Sequence, residues 1–204
     1  MRIRRSLKSF KNTWTKYGKI CLNEQATLRN RLIAIRKELI DSLTSFLNHN
    51  PLILGIGSPL KSDDAFGLLA CDYLSSIGVE CIKCEYGIET CISEISDRRP
   101  KALLIIDAVL SRETPPGSII VADESAVVTG EILVTTHNIP LKTLLEILRK
   151  EYGVEKILIA GATPFSLDYG LELTSEMKKT LEYFIEILKQ ALSSSGKDVL
   201  EESA

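Results

Sequence analysis

Leu52-Ile53-Leu54-Gly55-Ile56-Gly57 is a six-residue apolar run closed by a glycine. A strand that is apolar on both faces must be covered on both faces, which is the condition of a strand inside a parallel sheet. Working outward, helical spacing sets Phe66, Leu69, Ala70 and Tyr73 on one face. Residues 79–86 read as a second strand and residues 89–97 as a short helix. Ala102-Leu103-Leu104-Ile105-Ile106 is the most strand-like run of the chain. Pro115-Pro116-Gly117 reads as a turn, Ser118-Ile119-Ile120-Val121 as another strand, and Ile157-Leu158-Ile159-Ala160 as the last. Between these two, residues 139–151 carry Leu141, Leu144, Leu145 and Leu148 in helical register. Thr174 is placed to cap a final helix that buries Met177, Leu181, Phe184 and Leu188.

Upstream, Leu28, Leu32, Ile35, Leu39, Leu43 and Phe46 recur every three or four residues, so a helix is expected over 26–48. The breaker cluster Asn48-His49-Asn50-Pro51 ends it. Strands alternating with helices of this length imply a three-layer α/β/α domain around an open, mostly parallel twisted sheet. The expected division is a basic N-terminal extension over 1–50, the α/β domain over 51–192 and a polar tail over 193–204.

The chain has 204 residues, 45% of them hydrophobic, enough for one packed core. No apolar run reaches the length of a membrane span, and no clean apolar stretch follows the charged start, so a cytoplasmic protein is expected. The net charge of -2 hides an asymmetry. Residues 1–50 hold eleven Lys/Arg against three Asp/Glu, and residues 51–204 hold fourteen against twenty-four. The basic segment reads as a solvated helical face; it carries no nucleic-acid-binding motif. Neither nucleic acid nor membrane is expected as a partner, and a monomer is expected. Five cysteines, at 21, 71, 81, 84 and 91, are odd in number and follow no secretion signal, which favours reduced thiols. Cys81 and Cys84 lack the second ligand pair of a zinc site and would face opposite sides of a strand.

In an open parallel sheet, ligands bind beyond the carboxyl ends of the strands. Three polar positions fall there. Ser62-Asp63-Asp64 follows the first strand, Asp107 follows the apolar run 102–106, and His137 lies in Thr135-Thr136-His137-Asn138 before Pro140. Two carboxylates and an imidazole suit a borderline divalent ion. Each has a plainer reading. Ser62 and Asp63 suit a helix cap, Asp107 a turn, and His137 an ordinary loop. The two histidines, His49 and His137, leave no H-E-x-x-H zinc-protease motif, and there is no G-x-S-x-G elbow. Gly55-Ile56-Gly57-Ser58-Pro59-Leu60 lacks the third glycine of a dinucleotide loop and the Lys-Ser/Thr of a phosphate loop.

The stretch from Gly55 to Gly67 resembles the signature G-x-G-N-x-x-x-x-D-D/E-G-x-G of nickel–iron hydrogenase maturation endopeptidases. Ile106-Asp107-Ala108, the Pro116-Gly117 turn and Thr135-Thr136-His137-Asn138 follow in the same order, over about residues 51–192. The histidine in T-T-H-N resembles the subgroup that processes hydrogenase-3-like enzymes. The resemblance implies an aspartate-dependent endopeptidase that removes the C-terminal extension of a hydrogenase large-subunit precursor once nickel is inserted. It implies that Asp64, Asp107 and His137 contact that nickel, with Asp64 and Asp107 the catalytic carboxylates. The nickel would arrive with the precursor, and no tightly bound resident cofactor is expected. Ser58 stands for the usual Asn and Ala65 for the usual Gly. The latter matters only if that backbone needs a positive φ. Nickel as a Lewis acid and an aspartate as general base are both open routes to hydrolysis.

Overall fold

The computed structural model describes residues 28–111, 114–130, 132–134 and 141–196. The expected arm at 1–25 and the tail beyond 196 lie outside them. By compactness the chain divides into 1–35 and 36–204. Of the first unit, the described residues form the opening turns of helix α1 (Leu28–Leu47).

The second unit holds the sheet. In chain order its elements are β1 (Leu52–Gly57), a 3-10 turn (Ser62–Ala65), α2 (Phe66–Ser76), β2 (Ile82–Glu85), a 3-10 turn (Ile88–Cys91), α3 (Ile92–Arg98) and β3 (Ala102–Ser111). There follow β4 (Ile119–Asp123), α4 (Glu124–Val128), β5 (Ile132–Val134), α5 (Leu141–Tyr152), β6 (Lys156–Ala162) and α6 (Ser175–Ser194). The strand order is β2-β1-β3-β6-β4, with β5 paired to the far end of β3. β2, β1, β3 and β6 run parallel; β4 is antiparallel on β6, and β5 is antiparallel on β3. The sheet is therefore α/β and mostly parallel, as expected, with an antiparallel edge.

The period-two alternation of the strands builds a core on each face. Ile53, Leu104 and Ile106 join Leu43, Leu47, Phe66, Leu74, Phe184 and Ile187, from α1, α2 and α6. Leu54, Ile56, Leu103 and Ile105 join Ile95, Leu144, Leu148 and Ile159 on the other side. Phe66 and Phe184, both fully buried, meet with ring centroids 5.2 Å apart. All six residues of β1 and the first eight of β3 are buried. α2 sits directly on these strands because residue 67 has no side chain. A Cβ there would lie 2.2 Å from the Ile106 carbonyl oxygen and 2.3 Å from that of Ile56.

Three expectations are corrected. The buried face of α2 is Phe66, Ala70, Cys71 and Leu74, with Leu69 exposed. β3 does not stop at Asp107 but runs on to Ser111, where it gains β5. Four of the five cysteines are paired rather than reduced: Cys71 with Cys81 and Cys84 with Cys91. Their Cα–Cα distances, 5.3 and 5.6 Å, are ordinary for disulfides. Cys81 packs toward the core of α2 and Cys84 lies in the opposite one, so the two do face opposite sides. Each finds a partner there, on α2 or in the turn after β2. Cys21 lies outside the described residues.

Candidate active site

The site grows from the carboxyl ends of β1 and β3. β1 closes on Gly57, whose φ of 154° and lack of a side chain let the next turn fold back over it. A Cβ on Gly57 would stand 1.9 Å from the Asp64 carbonyl oxygen. All four residues of the turn Ser62–Ala65 are buried. Asp64 is fully buried, and its Oδ2 accepts the Ser58 backbone N–H at 3.1 Å. Ser58 is buried and its Oγ accepts the Leu60 N–H, so the serine in place of asparagine serves the loop as a small acceptor. Ala65 has φ −74° and ψ 0°, an ordinary right-handed conformation. No glycine is needed there, and that departure from the signature costs the backbone nothing.

Asp107 lies on β3 just past the last residue paired with β1, Ile106 opposite Gly55, while still opposite Gly161 of β6. It is fully buried, and its Oδ1 accepts the N–H of Ala108 at 2.7 Å. Burial pushes its carboxyl well above the usual carboxylate range, and the negative charge of Asp64 pushes it further; the Ala108 N–H works the other way. The two acids named from sequence thus share one buried neighbourhood, close enough to feel each other's charge. Among the described residues no group of three His, Cys, Asp or Glu gathers as a ready metal site. His137, together with Thr135, Thr136, Asn138 and Pro140, lies outside the described residues. A depression lined by Phe46, Glu124, Arg149 and Lys156 lies by the start of β6, at the sheet edge opposite the aspartates.

Asp63 is the residue whose role the sequence concealed. Its expected part was to cap the helix that follows it, yet the turn Ser62–Ala65 has no side-chain cap. Instead the fully buried Asp63 carboxylate crosses to the segment between β6 and α6. Oδ2 accepts the N–H of Phe165 at 2.8 Å and of Ser166 at 3.0 Å, and the Thr174 hydroxyl at 3.1 Å. Oδ1 accepts the Thr174 N–H at 2.7 Å. Thr174 in turn caps α6 through the Met177 N–H, as expected. No sequence signal separates the first aspartate of this pair from the second, since both suit a turn before a helix.

Comparison with known proteins points one way. A family model for hydrogenase maturation protease matches residues 86–191. The chain is similar to the hydrogenase 2 maturation protease of Escherichia coli K12, with 26% identity over 161 residues, covering 75% of this chain and 96% of that protein. It is similar to the hydrogenase 3 maturation protease of the same strain, with 28% identity over 134 residues, covering 64% of this chain and 83% of that one. The fold is like that of the hydrogenase maturating endopeptidase HybD from E. coli. The TM-score is 0.62 at 24% identity, over 74% of this chain and 97% of that one.

Proposed function

Because this chain belongs to the hydrogenase maturation protease family and is a peptidase, we propose that it removes the C-terminal extension of a nickel-loaded hydrogenase large-subunit precursor. The observation that carries this reading is the pair Asp64 and Asp107. They are two buried carboxylates at the carboxyl edge of the sheet, the second held toward its protonated form by burial and by the first. Like charges held together out of water disfavour folding unless something compensates. A divalent ion brought by the substrate is such a compensation, and carboxylates with the imidazole of His137 form a donor set suited to nickel.

The pair then reads the state of the substrate. A precursor without its metal offers nothing for Asp64 and Asp107 to hold, whereas a loaded one is gripped through its ion. The ion belongs to the precursor, and no resident cofactor enters this reading. Bound to the scissile carbonyl it would act as a Lewis acid. An aspartate of the pair would take the proton of the attacking water, which is the aspartyl-type part of the proposal. A cytoplasmic setting and a monomeric enzyme complete the reading; no helix among the described residues is long and apolar enough to cross a membrane.

The test is incubation with nickel-loaded precursor, read as a loss of mass. Wild type should release one C-terminal peptide from loaded precursor and none from metal-free precursor. Asp64→Asn, Asp107→Asn and His137→Ala should each slow release at least a hundredfold. Wild-type activity in all three variants would remove the site, and equal cleavage of metal-free precursor would remove the nickel gate.

A further inference from the structure

The strap between β6 and α6 is ordered without burying its own middle. From Phe165 to Glu172 no side chain is buried, and Tyr169 and Leu171 are 89% and 81% exposed. Fixing a backbone costs about 1–2 kcal/mol per residue, and side chains left in water recover none of it. Polar anchors hold the strap instead. The Asp63 carboxylate takes the N–H groups of Phe165 and Ser166 where the strap begins, and the N–H and hydroxyl of Thr174 where it ends. Between these ends, the Ser62 N–H donates to the Gly170 carbonyl at 2.9 Å and the Gly170 N–H to the Leu60 carbonyl at 3.0 Å, a parallel bridge of Lys61 with Gly170. The Ser62 hydroxyl donates to the Glu172 carbonyl at 3.1 Å.

Every one of these anchors sits on residues 60–63, immediately before Asp64. Gly170 is bonded to Ser62, whose Cα is within about 7 Å of that of Asp64 along the chain. Tyr169 and Leu171 flank Gly170, so the two most exposed large apolar side chains of the strap stand beside the turn that carries Asp64. Leu60, 46% exposed, adds to the same surface. Tyrosine is enriched in binding hot spots, and a clamped backbone leaves less backbone freedom to be lost when the strap docks.

We propose that Tyr169 and Leu171 are specificity-determining residues that dock the precursor beside its scissile segment, on a strap that Asp63 positions. This rests on the precursor-processing reading above. The complementary surface is an apolar patch of the folded precursor polypeptide next to its C-terminal extension. A second copy of this chain seated there would lie against the turn of Asp64 and obstruct its approach, which argues for the substrate as the occupant.

The experiment uses the full-length protein and nickel-loaded precursor. In an Asp64→Asn background, which stops turnover, the added pair Tyr169→Ser and Leu171→Ser should weaken precursor binding at least tenfold by calorimetry. With Asp64 intact, the same pair should raise KM at least tenfold while kcat stays within about threefold. Melting should be unchanged, since both side chains lie in water. KM and binding within twofold of the parent would overturn the proposal, as would loss of a dimer on making the pair. Failure of the wild type to cleave would instead bring down the processing reading and this inference with it.

Discussion

Asp63→Asn separates a cap from a clamp. If Asp63 merely capped a helix, asparagine would replace it with little loss, since both residues cap well. In the structure its carboxylate is fully buried and accepts four hydrogen bonds, three of them from backbone N–H groups. An amide has one acceptor oxygen. Its best placement puts that oxygen at Oδ2, keeping Phe165, Ser166 and the Thr174 hydroxyl, and turns the NH2 against the Thr174 N–H, formerly bonded at 2.7 Å. One charge-assisted bond becomes a clash of donors, and three become neutral. With net values of about 1.5–3 kcal/mol for charged and about 0.5–1.5 for neutral bonds, the loss is about 4.5–7.5 kcal/mol. For a chain of this size that lowers Tm by about 9–30 °C. Urea unfolding followed by circular dichroism at neutral pH is the assay, with an unchanged m-value as the sign of an unchanged fold. A loss under about 1 kcal/mol would refute the clamp. The resemblance assigns Asp63 no nickel contact; the structure gives it a clamp whose loss is read in stability, separately from cleavage.

Asp107→Asn should lose cleavage yet stabilise the fold at neutral and alkaline pH. The raised folded-state pKa means that the unfolded chain releases this proton first, so wild-type stability falls as pH climbs from the unfolded value near 4 through the folded one. The variant escapes that loss, and its advantage should vanish at and below about pH 4; parallel melting curves at all pH values would contradict the coupling. Thiol titration of the denatured chain without reductant should find at most one reactive cysteine of the five, because Cys71, Cys81, Cys84 and Cys91 are paired. Reduction should destabilise by about 2.5–3 kcal/mol per bridge on the chain-entropy estimate, and five free thiols before reduction would remove the pairings.

What the sequence made legible was what periodicity and strand-end chemistry encode. Buried parallel strands show as apolar runs, and β1, β3 and β6 were each readable within a few residues. α4 and β5 escaped because five and three residues are too few for any period to repeat. The continuation of β3 escaped for a different reason. An acid after five apolar residues reads as the point where a strand meets water, whereas Asp107 stays buried and the strand runs on. The odd cysteine count argued against pairing. The partners of Cys81 and Cys84 come from α2 and from the turn after β2, positions brought near only by the fold. Asp64 and Asp107 could be named together because the carboxyl edge of a parallel sheet is a place that topology defines in advance.

The Asp63-Asp64 pair shows how one dipeptide divides between architecture and chemistry. In a 3-10 turn, with three residues per turn, successive side chains point about 120° apart. Two adjacent acids on such a turn cannot share surroundings. Asp63 turns toward a strap whose backbone donors replace the water it gave up, which is the condition under which a buried carboxylate is stable and unreactive. Asp64 shares its neighbourhood with Asp107, a second buried acid whose proton it helps to retain. Folding alone does not favour that second arrangement, since a buried like-charge pair disfavours the ionised state of both. Perturbed acids of this kind concentrate at functional sites. The same turn therefore carries one carboxylate held by the backbone donors of the strap and one that, in the proposed function, would meet the cation carried by the substrate. The clamp made by the first holds the strap beside the second.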